Sequence, residues 1–217
     1  MIHQIFTLLK KEITIELRNK YALNGLLLYL AGVLMIIYIS FMKTDSLIWV
    51  TLFWIIILFT SINAIAKSFM LESKSRYLYY YSIASPISIL VSKLIYNTGL
   101  LIVLCALCWV LYAFILGNPI QQLLWFSIAI LLGSISISFI LTLMSAIASK
   151  ANNNSTLMSI LSMPVLIPIL LLLIKITLLS LDSNTMDFPI KDFIMLLSLD
   201  AIILALGFIL FPFLWKE

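Results

Sequence analysis

The sequence predicts an all-α integral membrane protein of six transmembrane helices, with both termini in the cytoplasm and an amphipathic interfacial helix ahead of the first span. Three observations carry this. Residues of the set Ala, Val, Ile, Leu, Met, Phe, Trp, Tyr and Cys fill 64% of the 217 positions and only 10% are charged, against about 25% charged in ordinary soluble domains. The apolar residues fall in runs that meet the roughly 20 residues a helix needs to cross a bilayer. The lysines and arginines gather in alternate loops, the distribution that sets orientation. Backbone polar groups in lipid must be satisfied within the segment, so runs of this kind form a helical bundle. So much of the chain is spent on spans that no soluble catalytic domain fits.

The N-terminal stretch 1–20, "MIHQIFTLLKKEITIELRNK", carries Lys10, Lys11, Glu12, Glu16, Arg18 and Lys20 where a cleavable signal needs an apolar core. Ile2, Ile5, Phe6, Leu9, Ile13 and Leu17 follow helical spacing with the charges largely on the other side. That pattern describes a helix lying in the membrane interface, a solvated cytoplasmic extension being the alternative. Six spans follow at about 23–42, 47–69, 87–116, 123–149, 156–181 and 193–215. They are separated by "KTDS" at 43, a long charged stretch at 70–86, "GNP" at 117, "KANNN" at 150 and "DSNTMDFPIKD" at 182. One set of loops and ends holds Lys10, Lys11, Arg18, Lys20, Lys67, Lys74, Arg76, Lys93, Lys150 and Lys216, and the other holds Lys43, Lys175 and Lys191. Ten against three puts the first set, and both termini, in the cytoplasm.

Polar residues inside the spans are few. Ser134, Ser138, Thr142, Ser145, Ala146 and Ser149 form a narrow stripe beside Gly133, read as a helix-packing face, with a polar substrate path as the sharper alternative. Cys105 and Cys108 sit in an apolar run and are followed by Trp109, not by the histidine of a haem-attachment motif; they read as packing residues. Lys175 and Asp200 lie at similar depth, roughly 10 to 14 Å below the outer surface at about 1.5 Å per residue. An intramembrane ion pair between them is the expectation, separate snorkelling the alternative. Pro164 and Pro168 stand one turn apart in the fifth span, where each removes a helical hydrogen bond and a bend is expected.

Sites for chemistry are missing from the pattern. His3 is the one histidine, the acids are scattered over loops, and no GxxxxGK[ST] phosphate loop occurs. The chain is therefore expected not to be an enzyme, and to bind neither metal nor cofactor itself. Any ATP used in its work belongs to a partner subunit. The charge of +4 is accounted for by topology and gives no nucleic-acid signal.

Three segments, "FTLLKKEITIELRNK", "FMLESKSRYLYYYSIASPISILVSKLIYN" and "NNSTLMSILSMPVLIPILLLLIK", make the chain resemble the cytochrome c maturation protein B family, permeases of the ATP-binding cassette (ABC) transporter class. The match extends over nearly the whole length. The resemblance implies an ABC exporter-like permease domain in the bacterial inner membrane, working as two copies with an ATP-binding cassette subunit. It also implies a haem-handling membrane protein and the haem chaperone of c-type cytochrome assembly as partners. Haem enters as cargo, or ATP hydrolysis drives release of the haem-loaded chaperone. The lack of an intramembrane histidine favours the second, mechanical role.

In such a machine the cytoplasmic stretch 70–86 is the natural coupling segment. On a helix, Tyr77, Tyr80 and Tyr81 share one face while Glu72 and Arg76 lie a turn apart on its neighbour, supplying aromatic anchors and orienting charge for the ATPase. The competing use of the tyrosines is a headgroup belt. Two rival functions remain open on sequence: a permease for another cargo, such as a drug, lipid or polysaccharide, and a membrane scaffold without transport.

Overall fold

The computed structural model describes residues 2–18, 20–40, 45–66, 68–69, 85–150, 155–181 and 190–216. Among these residues every regular element is helical: α1 (Ile2–Arg18), α2 (Lys20–Ser40), α3 (Ser46–Ile65), α4 (Pro86–Leu116), α5 (Leu123–Lys150), α6 (Ser155–Leu179) and α7 (Ile190–Lys216). The predicted spans fall on α2 to α7. Helices α3 to α7 are long and apolar enough to cross a membrane, whereas the apolar stretch of α2, Asn24–Ser40, is shorter. Phe114, Leu28 and Ile39 stand almost fully out of the protein, a distribution that suits a hydrocarbon surround and not water.

Helix α5 is the hub and packs against α3, α4, α6 and α7. It can do so because many of its inward positions are small: Ala129, Gly133, Ser134, Ser138 and Ala146 are buried, and small side chains let helix backbones approach. At Gly133 the Trp54 ring of α3 lies against the α5 backbone. A Cβ placed there would stand 2.4 Å from Cη2 of Trp54 and 2.7 Å from its Cζ3. The indole lying over this glycine donates from Nε1 to Thr177 Oγ1 of α6 at 3.0 Å, so one side chain joins three helices.

At one end of the bundle, Trp49, Phe53, Tyr112 and Phe126 form an aromatic cluster with ring centroids 4.8 to 6.2 Å apart. Tyr112 donates to the Trp49 carbonyl (3.1 Å) and the Trp49 indole to the Gly117 carbonyl (3.3 Å). Gly117 closes α4 at φ +83°, a conformation side-chain-bearing residues rarely adopt. Amides of Gln121 and Gln122 donate to the Ser180 carbonyl, tying the α4–α5 connection to the end of α6. The opposite end, predicted to be cytoplasmic, holds the start of α4 and the end of α5. There Ser85 caps α4, accepting from the Ser88 amide at 3.3 Å, with Pro86 in the first turn. Proline is pre-set for that position because its missing N–H has no helical partner to lose.

Helix α6 runs through Pro164 and Pro168, and α7 through Pro212, as single α-helices. The two prolines of α6 deprive the carbonyls of Ile160 and Pro164 of their usual amide donors.

Candidate functional site

The richest polar junction lies where α1, the end of α3, the second turn of α4 and the last turns of α5 meet. Its centre is Lys93, 2% exposed. The spacing from Pro86 places it about 10 Å along α4. Its ammonium donates to Glu12 Oε1 at 3.3 Å and to the Ser68 carbonyl, and lies 4.7 Å over the Phe69 ring. Lys11 donates to the same Glu12 oxygen at 3.2 Å. Asn97, one turn further along α4, donates from Nδ2 to Ser68 Oγ (3.2 Å) and to Thr142 Oγ1 of α5 (2.8 Å). Ser88 completes the α1 contact by donating to Gln4 Oε1 at 3.3 Å.

Glu12, which spacing sets on the charged side of α1, points into the junction, while Ile2 and Phe6 of the apolar side are exposed. The buried Lys93 needs a counter-charge, and exposed apolar groups cost nothing against lipid, so this rotation of α1 is the favourable one. An open apolar groove remains between the helices further along, lined by Leu9, Ile13, Tyr96 and Gly99. The polar contacts at Gln4 and Glu12 hold α1 at points about two turns apart along its length.

Such an arrangement fixes positions. A buried ion pair seldom adds stability over apolar packing, but it specifies which groups meet. Here it fastens the residues on both sides of segment 70–84, Ser68 and Phe69 before it and α4 after it, to each other and to α1. The segment's own predicted coupling residues, Glu72, Arg76, Tyr77, Tyr80 and Tyr81, lie outside the described residues.

The serine stripe of α5 is the seam with α4. Ser134 Oγ lies 3.3 Å from Cys105 Sγ, Thr98 donates to Ser138 at 3.0 Å, and Asn97 to Thr142. All of these groups except the part-exposed Thr98 are buried. The stripe thus serves as a packing face, and the cysteines are part of that packing. Replacing Thr142 by valine keeps its shape and strips the acceptor from Asn97. The change is expected to cost about 1 kcal/mol, seen as a lower melting temperature of the purified protein in detergent.

Lys175 and Asp200 do not pair, which corrects the sequence expectation. Lys175, with its side chain 65% exposed, donates to Asp192 Oδ1 at 2.8 Å. Asp200 is 5% exposed, and its Oδ2 lies 2.8 Å from Ser136 Oγ of α5. Direction around each helix decides the contact. Asp200 faces α5 while Lys175 snorkels to the first turn of α7. Lys93, Glu12, Ser68, Asn97 and Ser136 were all missed as site residues by the sequence reading. The available signal was Lys93 itself, a cation seven residues inside a span that demands a partner.

Among the described residues no three His, Cys, Asp or Glu side chains gather as a metal site would require. Comparison with curated proteins and with solved structures gives no match. The family described as CcmB protein matches residues 3–213, from the first turn of α1 to the last turns of α7. This family supplies the membrane component of the haem-export system of cytochrome c maturation and functions with an ATP-binding cassette ATPase. With its five long apolar helices and a match over almost its entire length, the chain is a multi-pass membrane protein that belongs to the CcmB family.

Proposed function

We propose that this chain is the permease subunit of an ABC-type complex in the bacterial inner membrane. It converts ATP hydrolysis by a partner subunit into movement of its helices during haem delivery for c-type cytochromes. In this reading α2 is the sixth span, both termini are cytoplasmic, α1 lies in the interface, and two copies work together. Catalysis belongs to the partner, and the chain itself holds neither metal nor cofactor. The work is mechanical, releasing the haem-loaded chaperone with its membrane partner, instead of carrying haem on ligands of this chain. Pro164 and Pro168 give α6 a deformable point for that movement.

The observation that carries the proposal is the Lys93 junction. It stands at both ends of segment 70–84 and connects them to α1, α4 and α5, which is what a segment receiving a push from an ATPase requires. Within the segment Tyr77, Tyr80 and Tyr81 are the aromatic anchors, and Glu72 and Arg76 set orientation. Alanine at Tyr80 and at Tyr81 is expected to lower recovery of the ATPase on the tagged permease about tenfold, the equivalent of about 1.4 kcal/mol. The permease itself should remain in the membrane at normal abundance. Undiminished recovery of the ATPase on both variants would overturn the docking assignment.

A further inference from the structure

Asp200 lies ten residues inside α7, about 15 Å from the start of that helix and so near the middle of a bilayer core some 30 Å thick. It is 5% exposed, Oδ1 has no hydrogen-bond partner, and Oδ2 lies 2.8 Å from Ser136 Oγ. Ser136 Oγ also lies 2.9 Å from the carbonyl of Leu132, one turn back in α5. A serine hydroxyl has one hydrogen and cannot donate to both oxygens at once.

Helices α4, α5 and α6 are the elements packed on α7. Their charged side chains are committed elsewhere: Lys93 to Glu12 and Ser68, Lys175 to Asp192, while Lys150 ends α5. On α7, Lys191 and Asp192 belong to its first turn. The thiols and phenols of α4, Cys105, Cys108, Tyr96 and Tyr112, make no hydrogen bond to the carboxyl, since Ser136 is its one partner among the described residues. No described cation lies within 4 Å of it. A carboxylate there would carry a full charge in the bundle against half a share of one hydroxyl, the situation that buried carboxyl groups avoid by taking a proton.

We propose that Asp200 is a proton-binding site of the bundle, occupied in this arrangement. The neutral acid donates from Oδ2 to Ser136 Oγ, and Ser136 then donates to the Leu132 carbonyl. Both short contacts become hydrogen bonds with one hydrogen each. The oxygen left without a donor, Oδ1, is the carbonyl oxygen of a neutral acid, the least costly group to leave bare. The proton is thereby the ligand that seals α7 to α5. When it leaves to water, Ser136 must turn to the carboxylate, the Leu132 carbonyl loses its extra donor, and the charge favours a hydrated, separated seam. This goes beyond the permease reading and does not depend on which subunit hydrolyses ATP.

Infrared spectroscopy of the full chain in lipid tests the site directly. At neutral pH a protonated carboxyl stretch is expected above the amide bands, shifted in heavy water, lost in Asp200→Asn and moved to higher frequency in Ser136→Ala. Asp200→Asn, whose amide can donate as the acid does, should keep the wild-type melting temperature, while Asp200→Ala lowers it. The absence of an acid band that disappears with Asp200→Asn would overturn the proposal. So would an equal loss of melting temperature in the Asn and Ala variants. Should Asp200→Asn fail to accumulate, carbon-13 aspartate labelling of the wild type and Ser136→Ala decides the matter. An acid-type carboxyl resonance that responds to Ser136→Ala supports the site, and carboxylate resonances alone refute it. Stabilisation of the wild type by sodium or potassium at constant ionic strength, lost in Asp200→Asn, would also refute it in favour of a metal cation.

Discussion

Glu12→Ala is expected to destabilise the protein by about 3 kcal/mol, because it withdraws the carboxylate set on a lysine that is 2% exposed and leaves a buried charge without that compensation. The desolvation of Lys93 is already incurred by its position in α4, and the ammonium cannot reach water without unwinding contacts to Ser68 and Phe69. Glu12→Gln, which keeps an oxygen that accepts from Lys93, should lose less. The double variant Glu12→Leu with Lys93→Met should recover most of the loss, since apolar residues of similar volume replace the pair. Thermal denaturation in detergent reads all three. A neutral Glu12→Ala would show that α1 is not anchored by this contact.

Gly133→Ala should cost about 2 kcal/mol through overpacking. A methyl group there meets Trp54 ring carbons at 2.4 and 2.7 Å and Leu173 Cδ1 at 3.1 Å. The leucine can turn, but the indole cannot easily follow. Its Nε1 is committed to Thr177 at 3.0 Å and its ring meets Phe53 edge-on at 5.5 Å. Shrinking the ring should therefore relieve the clash. In a double-mutant cycle, Trp54→Phe and Gly133→Ala together are expected to fall short of the sum of the single losses by about 1 kcal/mol. Melting temperatures of the four proteins close the cycle, and strict additivity would exclude direct contact between the two positions.

The helices were legible because their signal is collective: a run of some twenty apolar residues survives any single exception, and Pro86 at the start of α4 marks its boundary chemically. The stripe on α5 was legible for the same reason, since Ser134, Ser138 and Thr142 recur every four residues and share one face. Ser136 was not, although the same arithmetic places it nearly opposite; a lone hydroxyl facing away carries no periodicity, and its partner is 64 residues distant in sequence. Lys175 and Asp200 show the limit of reasoning by depth. Rise per residue gives height, but which neighbour a side chain meets depends on the rotation of each helix, set by packing all along its length. The role of Glu12 was not legible, because the rule that charges turn to water takes no account of a buried group that needs one. Lys93 is such a group, and the sequence counted it only as a loop charge.

The way Lys93 holds the Ser68 carbonyl has a mechanical consequence. Lys93 belongs to the helix that follows segment 70–84, while Ser68 belongs to the turn that precedes it, so the segment is strapped at both feet to a common base. A strand tied at one foot takes up a pull as slack, by changing its end-to-end distance. One tied at both feet cannot, and any force applied between them is delivered to α3 and α4 in the same stroke. Asn97 extends the same anchorage to Thr142 of the hub helix. A common anchorage for both ends of the segment, more than the strength of any one bond, is what the buried lysine contributes.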